Sequence, residues 1–336
     1  MHGEGYTVSV GGDAPARAGL DAPGAPGAAD GGSLSHLAYL YDDERDFVSD
    51  ITAFAAAGRR NAEPVFLAVP GRRGALLRER LGAESGSLRY GAMAETGRNP
   101  ARLIPELREF IDQHPGHRIR YVGEAVWAGR TAAELREATR HEALINLAFA
   151  TTPATILCPY DLTRLPPSAI GGARHTHPAI LRDGRTRAAS GYAGLGVIPA
   201  ECEAPLSDPP AGAEIIDYRT SLREVRALVA DHSSTLGLPG EQVTNLVIAV
   251  GEITANTLRH TRAGGTFGIW HTADEIICQA HDQGWITDPL AGRTRQPPEA
   301  AGHGLWVVNQ VCDLVEIRTG RAGTTIRLHM RRGPRA

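Results

Sequence analysis

The stretch from Val243 to His260 leaves the second half of this 336-residue chain few ways to fold. Read as a helix, it carries aliphatic side chains on several sides, so most of its circumference has to be buried. Glu252, Asn256 and His260 nevertheless recur every four residues and form one polar stripe beside the apolar face. A buried carboxylate without a partner costs several kcal/mol. The stripe therefore predicts a site where a metal ion or a reacting hydroxyl faces Glu252, the alternative being a surface helix with its stripe in water.

The composition excludes several mechanisms and partners. Each of the 35 basic side chains is an arginine, and without lysine there is no Schiff-base chemistry, Ser-Lys pair or phosphate-loop lysine. A net charge of −3 does not indicate nucleic-acid binding, and the arginines of residues 327–335 form too short a segment to read a DNA groove. Scattered cysteines, no signal peptide and no membrane-length apolar run predict a reduced, cytoplasmic protein without membrane spans.

The order of predicted strands and helices indicates two domains, which the chain length also allows. Residues 1–32 are rich in Gly, Ala, Pro and Asp and predict a disordered tail. Strands alternate with helices over residues 33–181, which predicts an α/β domain with a mostly parallel sheet. A Gly/Pro-rich linker is predicted over 182–212, followed by an α+β domain over 213–332 that contains the polar stripe.

Three short motifs follow the polar helix. A predicted strand runs into Asp282-Gln-Gly284, where the carboxylate can accept a hydrogen bond from an exocyclic amine and the glycine lets a flat ring approach. Gly302-His-Gly304-Leu305 directly precedes a predicted helix, whose free N–H groups and dipole favour a phosphate. Gly323-Thr324 opens the last strand, where it could cap the site. Each motif is weak alone, but the order and spacing of all four elements form a strong signal.

With these motifs, residues 213–332 resemble the Bergerat-fold (GHKL) ATPase domain, and within it the anti-sigma-factor serine/threonine kinases. The polar stripe matches the N box of that family, and the glycine motifs match its glycine boxes. The resemblance implies an ATPase sandwich that binds ATP and Mg²⁺. Asn256 would coordinate Mg²⁺, Asp282 would bind the adenine amino group, and Glu252 would act as general base on a partner's hydroxyl. The other residues that the resemblance assigns to nucleotide binding are His260, Gly284, Gly302, Gly304, Leu305 and Thr324.

Two features depart from the family pattern. Ile286 stands where the first glycine box usually has another glycine, and the segment 288–301, which would form the nucleotide lid, is short and Pro-rich. They favour the alternative of a non-catalytic binding module with a degenerate ATP pocket that acts by partner sequestration. A soluble histidine-kinase-like sensor is a further alternative, although the 182–212 linker is too short for a paired-helix segment carrying a phosphoacceptor histidine.

Residues 36–181 resemble the MEDS sensory domain, which implies a degenerate RecA-like α/β fold. The residues that carry the resemblance are His36, Glu63-Pro64-Val65, Arg140–Asn146, Cys158–Asp161 and His177-Pro178. Residues 69–76 are interpreted as following the first strand, where a nucleotide-binding loop would stand. They lack Gly-Lys-Ser/Thr, which argues against triphosphate binding.

Two other groups in the first domain are weighed as sites. Glu124 and Trp127 follow a strand end, the usual place for ligand contacts in a parallel sheet, and predict a small-molecule pocket. Cys158, His175 and His177 lack the short spacing typical of zinc ligands, so Cys158 is interpreted as a small hydrophobe in a buried strand.

The resemblances together predict a signalling regulator. A sensory domain with an unknown small-molecule ligand would control a kinase that phosphorylates a STAS-type anti-anti-sigma protein and sequesters a sigma factor. A homodimer is implied by the same resemblance, and direct DNA binding is not expected.

Overall fold

The computed structural model describes residues 33–82, 86, 88–261, 263–295 and 303–333. The tail predicted over 1–32 and the glycine at Gly302 lie outside these residues. Within them, the chain forms a seven-stranded and a five-stranded sheet, each covered by its own helices. Every helix of the described residues is too short or too polar for a membrane span.

The N-terminal domain contains the seven-stranded sheet. Its strands are β1 (Ser35–Tyr41), β2 (Val65–Ala68), β3 (Arg89–Tyr90), β4 (Ile119–Gly123), β5 (Ala154–Asp161), β6 (Ala179–Arg182) and β7 (Arg185–Ala188). Its helices are α1 (Glu44–Arg60), α2 (Gly71–Leu81), α3 (Met93–Thr96), α4 (Leu103–Asp112), α5 (Ala132–Ala148) and α6 (Pro167–Thr176), and a 3-10 turn covers Pro100–Arg102. The strand order is β3-β2-β4-β5-β1-β6-β7, parallel except for β7, which confirms the predicted mostly parallel α/β sheet.

The first strand of the chain, β1, lies between β5 and β6 inside this sheet and is buried along its whole length. Residues 69–76 therefore follow the second strand, and the prediction that they follow the first is wrong. The loop that does follow β1 ends at Asp43, whose carboxylate accepts a hydrogen bond from the backbone N–H of Arg45 at 2.6 Å and caps α1. A carboxylate occupies the helix N-terminus at which a phosphate-binding loop would place its anion.

The segment predicted as a linker over 182–212 is partly built into the N-terminal domain. A hairpin joins β6 to β7 through Asp183 and Gly184, whose φ angles of 50° and 68° give the turn that twists with the flanking strands. A short helix, α7 (Ala200–Glu203), follows. It buries Cys202, and its Glu203 forms an ion pair with Arg140 of α5. The linker was thus predicted to begin too early in the chain, because the polar side chains of β7 do not show the pattern of a strand.

The C-terminal domain contains the five-stranded antiparallel sheet, in the order β11-β12-β10-β9-β8. Its strands are β8 (Glu214–Tyr218), β9 (Gly265–His271), β10 (Glu275–Asp282), β11 (Leu314–Gly320) and β12 (Gly323–Arg331). The helices α8 (Arg223–Thr235), α9 (Gly240–His260) and α10 (His303–Val311) pack on it. Leu246, Val250 and Ile253 of α9 are fully buried, and each contributes about 1.5–3 kcal/mol relative to an exposed side chain. The predicted α+β arrangement is confirmed.

The two domains contact each other mainly through α5 and the 3-10 turn on one side and β11, β12 and α10 on the other. Glu137 of α5 pairs with Arg318 at 2.7 Å and with Arg293 at 3.4 Å, and all three side chains are buried. Asn99 donates a hydrogen bond to the backbone carbonyl of Asn309 at 3.0 Å. Because unpaired buried charges are costly, these contacts fix how the domains meet.

Candidate functional site

The polar stripe of α9 lies at the edge of a cavity in the C-terminal domain. Glu252 and Asn256 are half-buried and His260 is exposed. The cavity has a volume of about 430 Å³, and Asn256 and His260 contribute to its wall. Its other lining residues from the predicted set are Asp282, Gly284, Leu305 and Thr324. The structure thus brings most of the predicted nucleotide-binding residues together around one cavity.

The carboxylate of Asp282 is held in place by two hydrogen bonds. Thr257 donates from its hydroxyl to one carboxylate oxygen at 2.5 Å, and the backbone N–H of Gly284 donates to the other at 2.7 Å. Tyr218 in turn donates to the Thr257 hydroxyl at 2.9 Å, and burial raises the pKa of Tyr218 to about 12, so its phenol stays protonated. This chain fixes Asp282 as an acceptor at the cavity wall.

Glu252 lies against the N-terminal end of α10. A methyl group built on Gly304 would lie 2.6 Å from Oε2 of Glu252 and 3.5 Å from Nδ2 of Asn256. Only a glycine lets the first turn of α10 come this close to α9. The carboxylate therefore faces the positive end of the α10 dipole.

Two threonine hydroxyls hold the turn that follows Asp282. β10 and β12 pair so that Asp282 stands opposite Thr324, whose hydroxyl donates to the backbone carbonyl of Gly284 at 2.9 Å. The Thr319 hydroxyl accepts from the backbone N–H of Ile286 at 3.0 Å. The turn after Asp282 is therefore held by side chains where the family pattern has a further glycine.

Sequence reasoning missed several residues of the cavity. Arg259 lines it and donates to Oδ1 of Asn256 at 3.2 Å, which places a cation beside the amide predicted to ligate Mg²⁺. Trp285 also lines it and is 62% exposed. The three-residue spacing from Asn256 could have indicated Arg259.

Family models match two separate parts of this chain. Residues 35–178 match MEDS, the methanogen/methylotroph, DcmR sensory domain, and residues 217–330 match the histidine kinase-like ATPase domain. The chain joins a MEDS domain to a GHKL-type ATPase domain. Both resemblances seen in the sequence are confirmed, whereas the anti-sigma kinase subtype stays a prediction. An ATPase domain of this kind implies ATP binding.

The chain also matches solved structures, among them the RsbU and RsbW domains of Rv1364c from Mycobacterium tuberculosis. The sequence identity is 18%, the match covers 36% of this chain and 33% of that chain, and the TM-score is 0.28. The chain therefore spans about a third of the length of that relative. A comparison with curated proteins finds no match.

The segment leading into the predicted lid of the ATPase domain is attached to the MEDS domain. Arg293 is buried and pairs with Glu137 of α5, and the backbone carbonyl of Gly292 accepts from Nδ2 of Asn309 at 3.0 Å. Asn99 of the MEDS domain donates to Oδ1 of the same Asn309 at 3.2 Å. Side-chain contacts thus connect the wall of this cavity to the MEDS domain.

A second polar site lies at the carboxyl ends of the strands in the MEDS domain. Glu124 is fully buried and forms an ion pair with Arg73, which also pairs with Asp161 at 3.1 Å. Burial raises the pKa of Glu124 to about 8, because the Arg73 guanidinium offsets only part of the effect of burial. Trp127 is not part of this group, since its ring stacks against the Arg130 guanidinium, with Cζ of Arg130 3.4 Å from the ring centroid. The structure therefore gives the two predicted ligand contacts different partners.

Proposed function

We propose that the chain is a signalling regulator whose MEDS domain controls an ATP-dependent protein serine/threonine kinase of the anti-sigma-factor type. The observation that carries the proposal is the cavity of about 430 Å³ that Asn256, Asp282 and Thr324 line in the domain matched as a histidine kinase-like ATPase. Its size suits a nucleotide, since small-molecule sites in proteins commonly measure about 300–1,000 Å³.

Side chains around the cavity fit the parts of a magnesium nucleotide. The amide oxygen of Asn256 is a hard ligand that suits Mg²⁺, and Arg259 beside it can pair with a phosphate. Asp282, held as an acceptor by Thr257 and Gly284, can accept from an adenine amino group. Mg²⁺ would neutralise charge on the phosphate oxygens when bound.

Glu252 is the residue we assign to proton transfer. It lies one helical turn from Asn256, so a base and a metal ligand face the same region of the domain. In the proposed reaction its carboxylate takes the proton of a serine or threonine hydroxyl on a partner protein as that oxygen attacks the γ-phosphorus and ADP leaves. Gly304 keeps the carboxylate at the end of α10, where the nucleotide phosphates would be bound.

The partners of this kinase belong to the same proposal. The phosphorylated protein would be a STAS-type anti-anti-sigma factor, and the sequestered one a sigma factor, with a homodimer as the working assembly. A small molecule bound near Glu124 and Arg73 would supply the signal. The signal would reach the ATP cavity through α5, because Glu137 holds Arg293 and Arg318 of the ATPase domain.

A second candidate is a binding module that does not transfer phosphate. It is favoured by Ile286, which packs against the core of the ATPase domain where a glycine would leave room beside the adenine. In that case partner sequestration alone would be the activity, with ATP binding weak or lost.

Isothermal titration and a phosphotransfer assay on the full chain test the proposal. Mg-ATP should bind to the unaltered protein, Asn256→Ala should lose that binding, and Glu252→Gln should keep it but lose phosphotransfer to a co-purified partner. A silent titration with the unaltered protein would favour the binding module. Phosphotransfer by Glu252→Gln at the parent rate would remove Glu252 from the role of base.

A further inference from the structure

A buried cluster in the MEDS domain brings together four side chains that the proposed kinase activity does not use. His36, Glu142, Cys158 and His177 are all buried, and one donor atom from each lies within 4.8 Å of the others. They come from β1, α5, β5 and the residue directly after α6, so the cluster connects two inner strands of the sheet to the helices that cover it. His175, the other histidine considered in the sequence, is exposed and takes no part.

Hydrogen bonds behind the two imidazoles determine which ring nitrogen carries the proton. Nδ2 of Asn146 donates to the backbone carbonyl of Thr176 at 2.7 Å, so Oδ1 of Asn146 faces Nδ1 of His36 at 3.0 Å and accepts from it. Nδ1 of His177 lies 2.9 Å from the backbone carbonyl of Ala173, to which it can only donate. In its neutral form each imidazole therefore directs an Nε2 lone pair into the cluster, as metal-bound histidines do.

Three distances inside the cluster fit a tetrahedral ion better than direct hydrogen bonds. Oε2 of Glu142 lies 3.3 Å from Nε2 of His36 and 3.4 Å from Nε2 of His177. Nε2 of His36 also lies 3.4 Å from Sγ of Cys158. A charge-assisted N–H···O bond is shorter, about 2.7–2.9 Å. Bonds of about 2.0–2.3 Å from Zn²⁺ to N, O and S place tetrahedral ligand atoms about 3.3–3.6 Å apart.

Two of the donor atoms have no hydrogen-bond partner among the residues that the structure describes. They are Oε2 of Glu142 and Nε2 of His177, and neither residue is exposed to water. A buried carboxylate surrounded by lone pairs is costly unless a cation lies among them. One carboxylate, one thiolate and two neutral imidazoles carry a charge of −2, which a divalent ion would neutralise.

We propose that His36, Glu142, Cys158 and His177 form a tetrahedral site for a divalent transition-metal ion, best suited to Zn²⁺. The mixed nitrogen, sulfur and oxygen donors suit zinc and its neighbours in the first transition series and do not suit Mg²⁺ or Ca²⁺, which take oxygen ligands. As the ion binds, the Cys158 thiol loses its proton to solvent and the Sγ–metal bond replaces the S–H bond. Four protein ligands close the coordination sphere, as in structural sites.

The test uses the full chain, stripped with a chelator and titrated with Zn²⁺ and with Co²⁺ as a spectroscopic probe. We expect one equivalent of either ion per chain and, with Co²⁺, a thiolate-to-metal charge-transfer band together with the intense visible bands of tetrahedral cobalt. The thermal unfolding midpoint should rise on addition of Zn²⁺, because the ion binds only the folded chain. Less than one equivalent of bound ion, or octahedral cobalt bands, would overturn the proposal.

Matched variants locate the site. Cys158→Ala should abolish the charge-transfer band, whereas Cys278→Ala, which removes a buried strand cysteine of the ATPase domain, should keep it. An unchanged band in Cys158→Ala would place the ion elsewhere. His177→Gln provides a second measurement should Cys158→Ala fail to fold, and it should weaken Co²⁺ binding at least about tenfold, as loss of a metal contact does. Unchanged Co²⁺ affinity in His177→Gln would also overturn the proposal.

Discussion

Glu137→Gln removes the carboxylate through which the MEDS domain holds two arginines of the ATPase domain. Glu137 lies 2.7 Å from Arg318 and 3.4 Å from Arg293, and its side chain is 2% exposed. The substitution keeps the size of the side chain and removes its charge, so it isolates the electrostatic contribution of the interface.

The expected loss of stability in Glu137→Gln depends on the contacts that each arginine keeps. Arg318 keeps Glu316 at 3.5 Å and the backbone carbonyl of Ala204 at 3.2 Å. Arg293 keeps no ion pair among the described residues, and its Nη1 already lacks a hydrogen-bond partner. Breaking a buried pair costs roughly 3–5 kcal/mol. The glutamine oxygen can still accept a hydrogen bond, so we expect the lower end, about 3 kcal/mol.

Urea denaturation of the full chain measures this loss. With a urea dependence of about 3 kcal/mol per M, the midpoint should fall by about 1 M. Glu44→Gln is the matched control, because Glu44 pairs with Arg72 at 2.9 Å at the surface, where such a pair contributes at most about 1 kcal/mol. Titration with Mg-ATP should also show weaker binding by Glu137→Gln, since the nucleotide must then order the segment around Arg293.

A midpoint shift for Glu137→Gln no larger than that for Glu44→Gln would refute this account of the interface. Unchanged ATP affinity alongside the full loss of stability would show that the interface holds the domains together without affecting the cavity.

Three further outcomes are expected. Thr257→Val should weaken ATP binding in calorimetry and destabilise the fold by about 1–3 kcal/mol, since Asp282 and Tyr218 both lose their hydrogen bond to the Thr257 hydroxyl. The control is Thr254→Val, which loses only hydrogen bonds to its own helix and should bind ATP normally. Gly304→Ala should barely change the unfolding midpoint but slow phosphotransfer, because the new methyl displaces Glu252, and a parent rate would contradict that placement. Burial would lower the pKa of His329, but its hydrogen bonds to Glu275 and Glu316 outweigh burial and raise that pKa to about 9. That stabilisation is complete below about pH 6.5 and lost as the pH rises through 9, so the free energy of unfolding should fall by about 3 kcal/mol across this range, and His329→Gln should abolish the fall.

Local patterns predicted the regular elements of the ATPase domain well. β10 ends at Asp282, where the sequence predicts a strand to run into Asp282-Gln-Gly284, because its apolar run ends there at a clear turn signal. β7 was missed although Asp183-Gly184 is a hairpin signal, since its strand carries two arginines and no apolar alternation.

Contacts between distant parts of the chain were harder to predict. Nothing in the sequence distinguishes Thr257, which holds Asp282, from Thr254 one turn earlier, because the difference lies in how α9 faces β10. The cluster around Cys158 was missed for a similar reason. His36, which lies 3.4 Å from the Cys158 thiol, is 122 positions away in the sequence, and only the pairing of β1 with β5 brings the two together.

The shared interface also affects how this protein can be dissected. A fragment holding only the C-terminal half would expose Arg293, Arg318 and Glu316, which are buried in the whole chain, and would release Asn309 from Asn99. The cavity lined by Asn256 and Asp282 would lose the support of the MEDS domain on one side in such a fragment. Kinetic or binding constants measured on this fragment would therefore not apply to the intact chain. Point substitutions in the intact chain are the better way to determine what each domain contributes.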